Sequence, residues 1–393
     1  MTPEIERIAI STGGGDAPGL NAVIRAATLA ARNRGWDVVG IRDGFSGLLT
    51  PELYPKGGVV RLSRESVRGI VHQGGTIIGT TNRGNPCAYP VLQPDGTWTE
   101  IDRTEELVGT FADHGIDALI TVGGDGSMSI AKRLHEAGLR LVGVPKTIDN
   151  DLEKTTSTFG FDTAVSFASD CIDRLFSTAT SHGRVIVVEV MGRYAGWIAL
   201  SAGAASGAHA ILIPEIPFDL EPVAATIAQR ERRGAQFSIV VVAEGAAPKG
   251  GAVSVVGKAV GQAEKLGGIG EVVAKGLEAL TGKEARTVVL GHLLRGGGPT
   301  AFDRLLGLRF GAAAVRALEA GESGVMVALN PPNVDYVPIA DATSRLKNVP
   351  LDCDTILTAR DMGISFGDAM PLADDPASWG VPSTHWEEIG GEP

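Results

Sequence analysis

The chain has 393 residues, is 44% hydrophobic and carries a formal net charge of -11, which allows a large buried core and favours two domains over one. Its acidity, without a long basic block, argues against sequence-independent nucleic-acid binding, so any anionic ligand must be caught by local groups. Cys87, Cys171 and Cys353 lack CxxC pairing, residues 1–7 are polar and no run approaches membrane-spanning length, which together predict a cytoplasmic protein without a disulfide framework or zinc site.

In chain order, IERIAIST reads as a strand, NAVIRAATLAARNRG as a helix ended by Gly35, and WDVVGIRDG as strand and turn. After a middle segment come TEELVGTFADHG (helix), IDALITVGG (strand), SMSIAKRLHEAG (helix) and LRLVGVPKT (strand). Strands of such continuous apolar character imply a parallel sheet covered on both faces. The series resumes with FDTAVSFASDCIDRLFSTATSH (helix), RVIVVEVMG (strand), RYAGWIALSAGAASG (helix), AHAILIPEI (strand), DLEPVAATIAQRERRG (helix) and FSIVVVAEG (strand). A Gly-rich connection then precedes a helix at GIGEVVAKGLEALTG and a strand at RTVVLGHLL. The expected fold is α/β: two doubly wound, mostly parallel domains with the active site in the cleft between them. Residues 1–155 with about 295–340 form one domain, 156–294 the other, and 341–393 a Pro-rich terminal extension that the pattern does not place.

Open α/β sheets bind ligands beyond the carboxyl ends of their strands, and three segments fall there. STGGGDAPGLN, with Gly14 at its centre, offers backbone N–H groups and a helix N-terminus to phosphates; it is neither the dinucleotide nor the P-loop fingerprint, and a tight strand-to-helix turn reads equally well. TVGGDGSMS sets Asp125 between Gly124 and Gly126, ahead of Ser127, where the carboxylate could hold a metal or merely cap a helix. PKTIDND sets Asp149 and Asp151 two residues apart after Lys146 and Thr147. In an extended loop that spacing faces both carboxylates to one site, suiting a general base and a group that orients it or reaches a metal; a solvated acidic turn is the alternative. Lys146 could offset that charge or meet a phosphate. Arg184, Arg193, Arg286, Arg295 and His292 are expected at strand ends on the ligand-binding edge, where guanidinium groups match phosphate geometry.

GGGDAPGLNAVIR, GTTNRG, GGDGS, PKTIDND, VEVMGRYAG, AEG after an apolar strand, and LGHLLRGG with PTAFDR together resemble the 6-phosphofructokinases, from about residue 7 to about residue 320. The closest resemblance is to the mixed-donor group, whose members use ATP or pyrophosphate. It implies ATP-dependent, Mg²⁺-dependent phosphorylation of the C1 hydroxyl of D-fructose 6-phosphate in glycolysis. Asp149 would take the hydroxyl proton, with Thr147 and Asp151 positioning substrate and metal. Asp125 would bind Mg²⁺, while Gly14, Arg83, Gly124, Gly126 and Ser127 would surround the donor phosphates. Met191, Gly192, Arg193 and Glu244 would contact the sugar phosphate, with Arg193 also near the transferred group. His292 and Arg295 would hold the 6-phosphate, helped by Arg184 and Arg286 from a neighbouring subunit of a homodimer or homotetramer.

Two departures from the family pattern matter. Pyrophosphate users typically carry a second Asp after GGD and a Lys at the start of the later motif. This chain has Gly126 but keeps Lys146. Gly126 is weighted more, because removing a steric and electrostatic block permits ATP, whereas a lysine can neutralise charge with either donor. At positions matching the bacterial effector site, Arg25, Arg64 and Arg233 retain charge but Leu29, His209 and Ala235 do not, which implies weak control by nucleotide and phosphoenolpyruvate effectors. The other readings are a pyrophosphate-dependent fructose 6-phosphate 1-phosphotransferase and a non-catalytic sugar-phosphate sensor. NAD kinases and lipid kinases also carry GGDG after a strand but lack PKTIDND and GHLLRGG.

Overall fold

The computed structural model describes residues 4–257 and 264–371. The apolar runs become strands and the amphipathic stretches helices, in close agreement with the sequence reading. The chain begins β1 (Arg7–Thr12), α1 (Leu20–Asn33), β2 (Asp37–Ile41), a short α2 (Ser46–Leu49) and β3 (Val59–Arg61). A small hairpin of β4 (Tyr89–Leu92) and β5 (Trp98–Ile101) precedes α3 (Thr104–Asp113), β6 (Ala118–Gly123), α4 (Asp125–Glu136) and β7 (Leu141–Pro145). Next come α5 (Phe161–His182), β8 (Val185–Val190), α6 (Trp197–Ala205), β9 (Ala210–Leu212), α7 (Leu220–Arg232) and β10 (Ser238–Ala243). The short β11 (Val255–Gly257) and β12 (Lys265–Leu266) pair before α8 (Ile269–Thr281) and β13 (Ala285–Val289). The remainder is α9 (Ala301–Glu319), β14 (Val325–Asn330), β15 (Asn333–Pro338), α10 (Ile339–Ala342) and α11 (Asp354–Asp361).

Among the described residues, 4–166, 257, 264–265 and 292–348 form one compact unit, and 167–256, 266–291 and 349–371 a second. The first holds a seven-stranded sheet in the order β15-β14-β7-β6-β1-β2-β3. Its inner pairs are parallel, while β15 and β3 join the two edges antiparallel. Alternation along each strand decides which helix it meets. Ile8, Ile10, Ile120 and Val142 share one core with Val23, Ile24 and Ala27 of α1 and Phe310 and Ala314 of α9. Ala9, Leu119 and Leu141 point into the other core, with Phe111 of α3 and Met128 and Leu134 of α4. The second unit holds four parallel strands in the order β13-β8-β10-β9. Val187, Val240 and Leu212 there pack on Val223 and Ile227 of α7 and Val273 and Leu277 of α8.

Two stretches depart from the sequence reading. The region after Asn330, weak in pattern, supplies the edge strand β15, whose residues are half-buried or exposed. A strand with one neighbour and one open face has little apolar alternation to betray it, and Pro338 stands at its end, where a missing N–H does little harm. Helix α9 gives a weak hydrophobic signal in sequence, because half of its buried residues are the small Gly307, Gly311, Ala313, Ala314 and Ala317. Those small residues let α9 lie close on α1. A Cβ on Gly311 would stand 2.5 Å from the Val23 carbonyl oxygen, and one on Gly307 would stand 3.0 Å from that of Gly19. Among the described residues no helix is long and apolar enough to cross a membrane, and all three cysteines are free.

Two helical glycines therefore have opposite expectations. Gly109 of α3 has open space where its Cβ would be, so Gly109→Ala should gain about 0.5–1 kcal/mol from helix propensity. Gly311→Ala should lose about 1 kcal/mol net, because overpacking against backbone outweighs that gain. Urea unfolding of both variants checks the contrast, and equal effects would mean that the α1–α9 contact yields freely.

Candidate active site

In the first unit β1, β6 and β7 lie side by side and parallel, so the loops leaving their carboxyl ends converge. Backbone hydrogen bonds lock them together: Gly13 N–H donates to the Val122 carbonyl at 2.9 Å, and Lys146 N–H to the Gly123 carbonyl at 2.9 Å. Gly14 adopts φ 78, a conformation that costs glycine nothing. Its N–H reaches the Thr81 carbonyl at 2.9 Å, and its own carbonyl accepts from Thr80 Oγ1 at 2.7 Å. The Thr81 hydroxyl in turn accepts from the Arg83 N–H at 3.0 Å, tying the exposed Arg83 to the same loop.

Asp125, Gly126 and Ser127 form the first turn of α4, whose N-cap Gly124 offers no side-chain acceptor. The turn's N–H groups and the helix dipole thus present positive potential. Ser127 nests against the first loop, since a Cβ on Gly13 would meet its hydroxyl at 2.9 Å. Gly126 differs from these packed glycines: a Cβ there would meet nothing within 4 Å.

Lys146 is 2% exposed, and its ammonium donates to the Gly15 carbonyl. Burial brings this ammonium down to about 8, assisted by the Arg295 guanidinium and opposed by the charges of Asp149, Asp16 and Asp151. Arg295 Nη1 donates to the Asp16 carbonyl at 3.1 Å. Arg295 is thus a second cation on the first glycine loop, while His292, in the same 3₁₀ turn, is exposed.

The PKTIDND segment is not extended as its spacing suggested. Asn150 has φ 51, in the left-handed region that asparagine tolerates better than most residues. This turn, rather than strand alternation, sets the directions of Asp149 and Asp151. Asp149 is 4% exposed, its N–H is held by Thr147 Oγ1 at 3.0 Å, and its Oδ1 is buried with no hydrogen-bond donor among the described residues. A buried carboxylate oxygen without a partner is costly in a finished core and ordinary where a ligand completes the site. Thr158 braces the turn, its N–H on Asn150 Oδ1 at 3.1 Å and its hydroxyl on the Thr147 carbonyl at 2.7 Å. Asn150 and Thr158 escaped the sequence reading because neither carries charge or sits in a glycine loop.

In the second unit Met191, Gly192 and Arg193 follow β8, and Glu244 follows its parallel neighbour β10. Arg193 has φ 51, and its N–H donates to Glu244 Oε1 at 3.1 Å. The chain passes so close that a Cβ on Gly245 would stand 1.8 Å from the Arg193 carbonyl oxygen. Arg184 and Arg286 are brought together but not on this edge. They stand at the amino ends of β8 and β13, opposite the carboxyl ends that carry Arg193, which corrects the expectation that all the arginines share one edge. Both guanidinium groups meet Glu284, Arg184 Nε at 2.6 Å, and the Arg184 hydrogen bond holds that carboxyl below its usual range. His209, at the position where effector charge was expected to be missing, lies beside Phe176 and Phe237. Burial pushes its ring down to about 3, with Nδ1 accepting from the Ile239 N–H at 2.8 Å, so it is neutral at physiological pH.

Comparison with known proteins places nearly the whole chain in one family. Residues 7–318 match the family model described as phosphofructokinase. An ATP-dependent 6-phosphofructokinase of Chloroflexus aurantiacus is 50% identical over 370 residues, covering 94% of this chain and all of the relative. A pyrophosphate–fructose 6-phosphate 1-phosphotransferase of Amycolatopsis methanolica is 48% identical over 348 residues, 88% of this chain and 96% of the relative. The crystal structure of a pyrophosphate-dependent phosphofructokinase from Nitrosospira multiformis superposes with a TM-score of 0.75, covering 94% of each chain at 22% identity, a likeness of fold.

The Lys146 environment has a measurable consequence. Its folded-state value near 8 lies below the ordinary 10.5, so the unfolded chain holds this proton more tightly. The contribution of the group to stability therefore rises as pH climbs through that window and is lost as pH falls below about 8. Relative to Lys146→Met, the wild type should gain unfolding free energy between about pH 8 and about 10.5, measured by urea denaturation across the series. A constant gap would place the amine in a solvated position.

Proposed function

This chain belongs to the phosphofructokinase family, and from that premise we propose that it transfers the terminal phosphoryl group of ATP to the C1 hydroxyl of D-fructose 6-phosphate. The products are ADP and fructose 1,6-bisphosphate, a step of glycolysis. The observation that carries this reading is the buried, donor-less Asp149 Oδ1 in the same cluster as the Lys146 ammonium and the converging loops of β1, β6 and β7. Asp149 takes the hydroxyl proton as the C1 oxygen attacks the terminal phosphorus and the bond to the departing ADP oxygen breaks. Phosphoryl transfer of this kind needs positioning and charge neutralisation more than covalent participation by the protein.

The other roles follow the same logic. Gly14, Arg83, Gly124, Gly126 and Ser127 border the donor phosphates, the α4 N-terminus supplying N–H groups and dipole. Lys146 adds a point charge to that loop. Thr147 and Asp151 position substrate, and Met191, Gly192, Arg193 and Glu244 bind the sugar phosphate with His292 and Arg295. Arg184 and Arg286, paired on Glu284 away from the Arg193 edge, serve the site of a partner subunit, so the working form is a homodimer or homotetramer. Among the described residues no group of three or more His, Cys, Asp or Glu side chains gathers to hold a metal. A lone Asp125 beside phosphates suits Mg²⁺, which takes one or two carboxylates and otherwise keeps water and phosphate oxygens. When bound, Mg²⁺ neutralises phosphate charge.

Open space at Gly126 supports ATP as donor, since it leaves room beyond two phosphates. The presence of Lys146 supports the second reading, pyrophosphate as donor. Fructose 1,6-bisphosphate formation with each donor in parallel decides between them, with ATP expected to sustain turnover. Gly126→Asp should lower kcat/KM for ATP by about 100-fold, because a like charge near the nucleotide phosphates costs several kcal/mol. Unchanged ATP use in that variant would remove Gly126 as the determinant.

Asp149→Asn should lower kcat by about 10³-fold or more while leaving the Kd for fructose 6-phosphate within about threefold. Calorimetry and single-turnover assays separate the two. Retained turnover would overturn the role of Asp149 as base.

A further inference from the structure

The segment after α10 grips the loop that carries Asp149. Leu346 forms an antiparallel bridge with Leu152, the Lys347 N–H donates to the Asp151 carbonyl at 2.9 Å, and Arg345 Nε meets Glu153 at 2.8 Å. The Lys347 side chain then gathers three oxygens of the same loop. Its ammonium donates to the Thr155 carbonyl at 2.9 Å and the Thr156 carbonyl at 2.8 Å, and reaches Asn150 Oδ1 at 3.4 Å.

Asn150 separates the two carboxylates, is buried, and holds the left-handed conformation that turns the chain between them. Its side chain is fixed from two directions, by the Thr158 N–H and by Lys347. We propose that Lys347 is a positioning residue for phosphoryl transfer: by drawing Asn150, Thr155 and Thr156 onto one ammonium it holds the turn that aims the Asp149 carboxylate.

The choice of side chain fits this task. An ammonium brings three N–H donors and no acceptor, and three acceptor oxygens converge on it. Removing such a group from water is costly, and burial lowers Lys347 to about 8 while Glu153 and Asp151 pull it back. A side chain that merely filled space would carry no such cost. The loop itself has limited support on this side, where a cavity of about 320 Å³ is bordered by Thr155, Thr156, Leu329, Asp335 and Lys347.

The inference rests on Asp149 acting as the base, so the experiment measures both residues. In the full-length protein, Lys347→Met should lower kcat at least tenfold while KM for each substrate stays within about threefold, and Lys347→Arg should recover most of the loss. In the Asp149→Asn background, Lys347→Met should lower the residual rate no further, because a positioning residue acts only through the group it positions. Kinetics are read on the folded fraction, quantified by thermal unfolding. Lys347→Gln, which keeps two N–H donors, supplies the same cycle should the Met variant not fold. A kcat within twofold of wild type, or an equal loss in the presence and absence of Asp149, would overturn the role of Lys347. Full turnover by Asp149→Asn alone would instead overturn the assignment of the base.

Discussion

The contact between the Lys146 ammonium and the Gly15 carbonyl joins the third loop of the first unit to the first, and the rest of the site is arranged around it. It places a cation in a position almost closed to water, for Lys146 is 2% exposed. Charge in such a place must be balanced, and Asp149, Asp16 and Asp151 supply the balance. The neighbouring Arg295 guanidinium works against it, so two cations and three carboxylates share one cluster from which water is largely excluded. Holding that ammonium out of water costs the fold stability, which is common where a site is arranged for a ligand rather than for the empty protein.

The second unit solves a different problem with similar means. Arg193 has to leave the end of β8 in a direction that an extended residue would not give, and the left-handed turn at φ 51 provides it. Such a conformation is costly outside glycine and persists where the surroundings over-determine it. Here the Glu244 carboxylate takes the Arg193 N–H, and Gly245 leaves space for its carbonyl. Arg184 and Arg286 sit at the far end of the same strands and share Glu284. Two cations thus share one carboxylate on a partly exposed edge.

Much of this was legible from sequence for a simple reason. The parallel strands are buried on both faces, so β1, β6, β7, β8 and β10 are predominantly apolar runs, and all but β7 are punctuated by glycine where their chemistry begins. The charged candidates announced themselves at those ends. What stayed hidden had no such signature. The α9 surface is made of small residues, β15 is an edge strand, and the turn at Asn150 depends on a backbone conformation that its neighbours Thr158 and Lys347 stabilise from a distance along the chain. The paired-carboxylate reading of Asp149 and Asp151 assumed strand alternation, whereas a left-handed turn intervenes. The opposite placement of Arg184 and Arg286 was open to the sequence, since each stands at the start of its apolar run and parallel strands share one amino edge.

That dependence on distant residues bears on how the first unit is built. The loop from Lys146 to Thr158 leaves a central strand and returns toward α5, and little of it is in regular structure. A loop that irregular has many backbone groups to satisfy. Some are met within it by Thr147, Asn150 and Thr158. Others are met by the chain's later elements: Thr156 N–H donates to the Leu329 carbonyl, Thr155 Oγ1 accepts from the Leu329 N–H, and Lys347 covers the carbonyls of Thr155 and Thr156. The loop acquires its final shape when β14 and the segment beyond α10 are in place. Those late elements would otherwise be one more strand of the sheet and a connection of no obvious use. Their hydrogen bonds to this loop give them a part in placing the carboxylate, which is why a change near residue 347 is expected to be felt at residue 149.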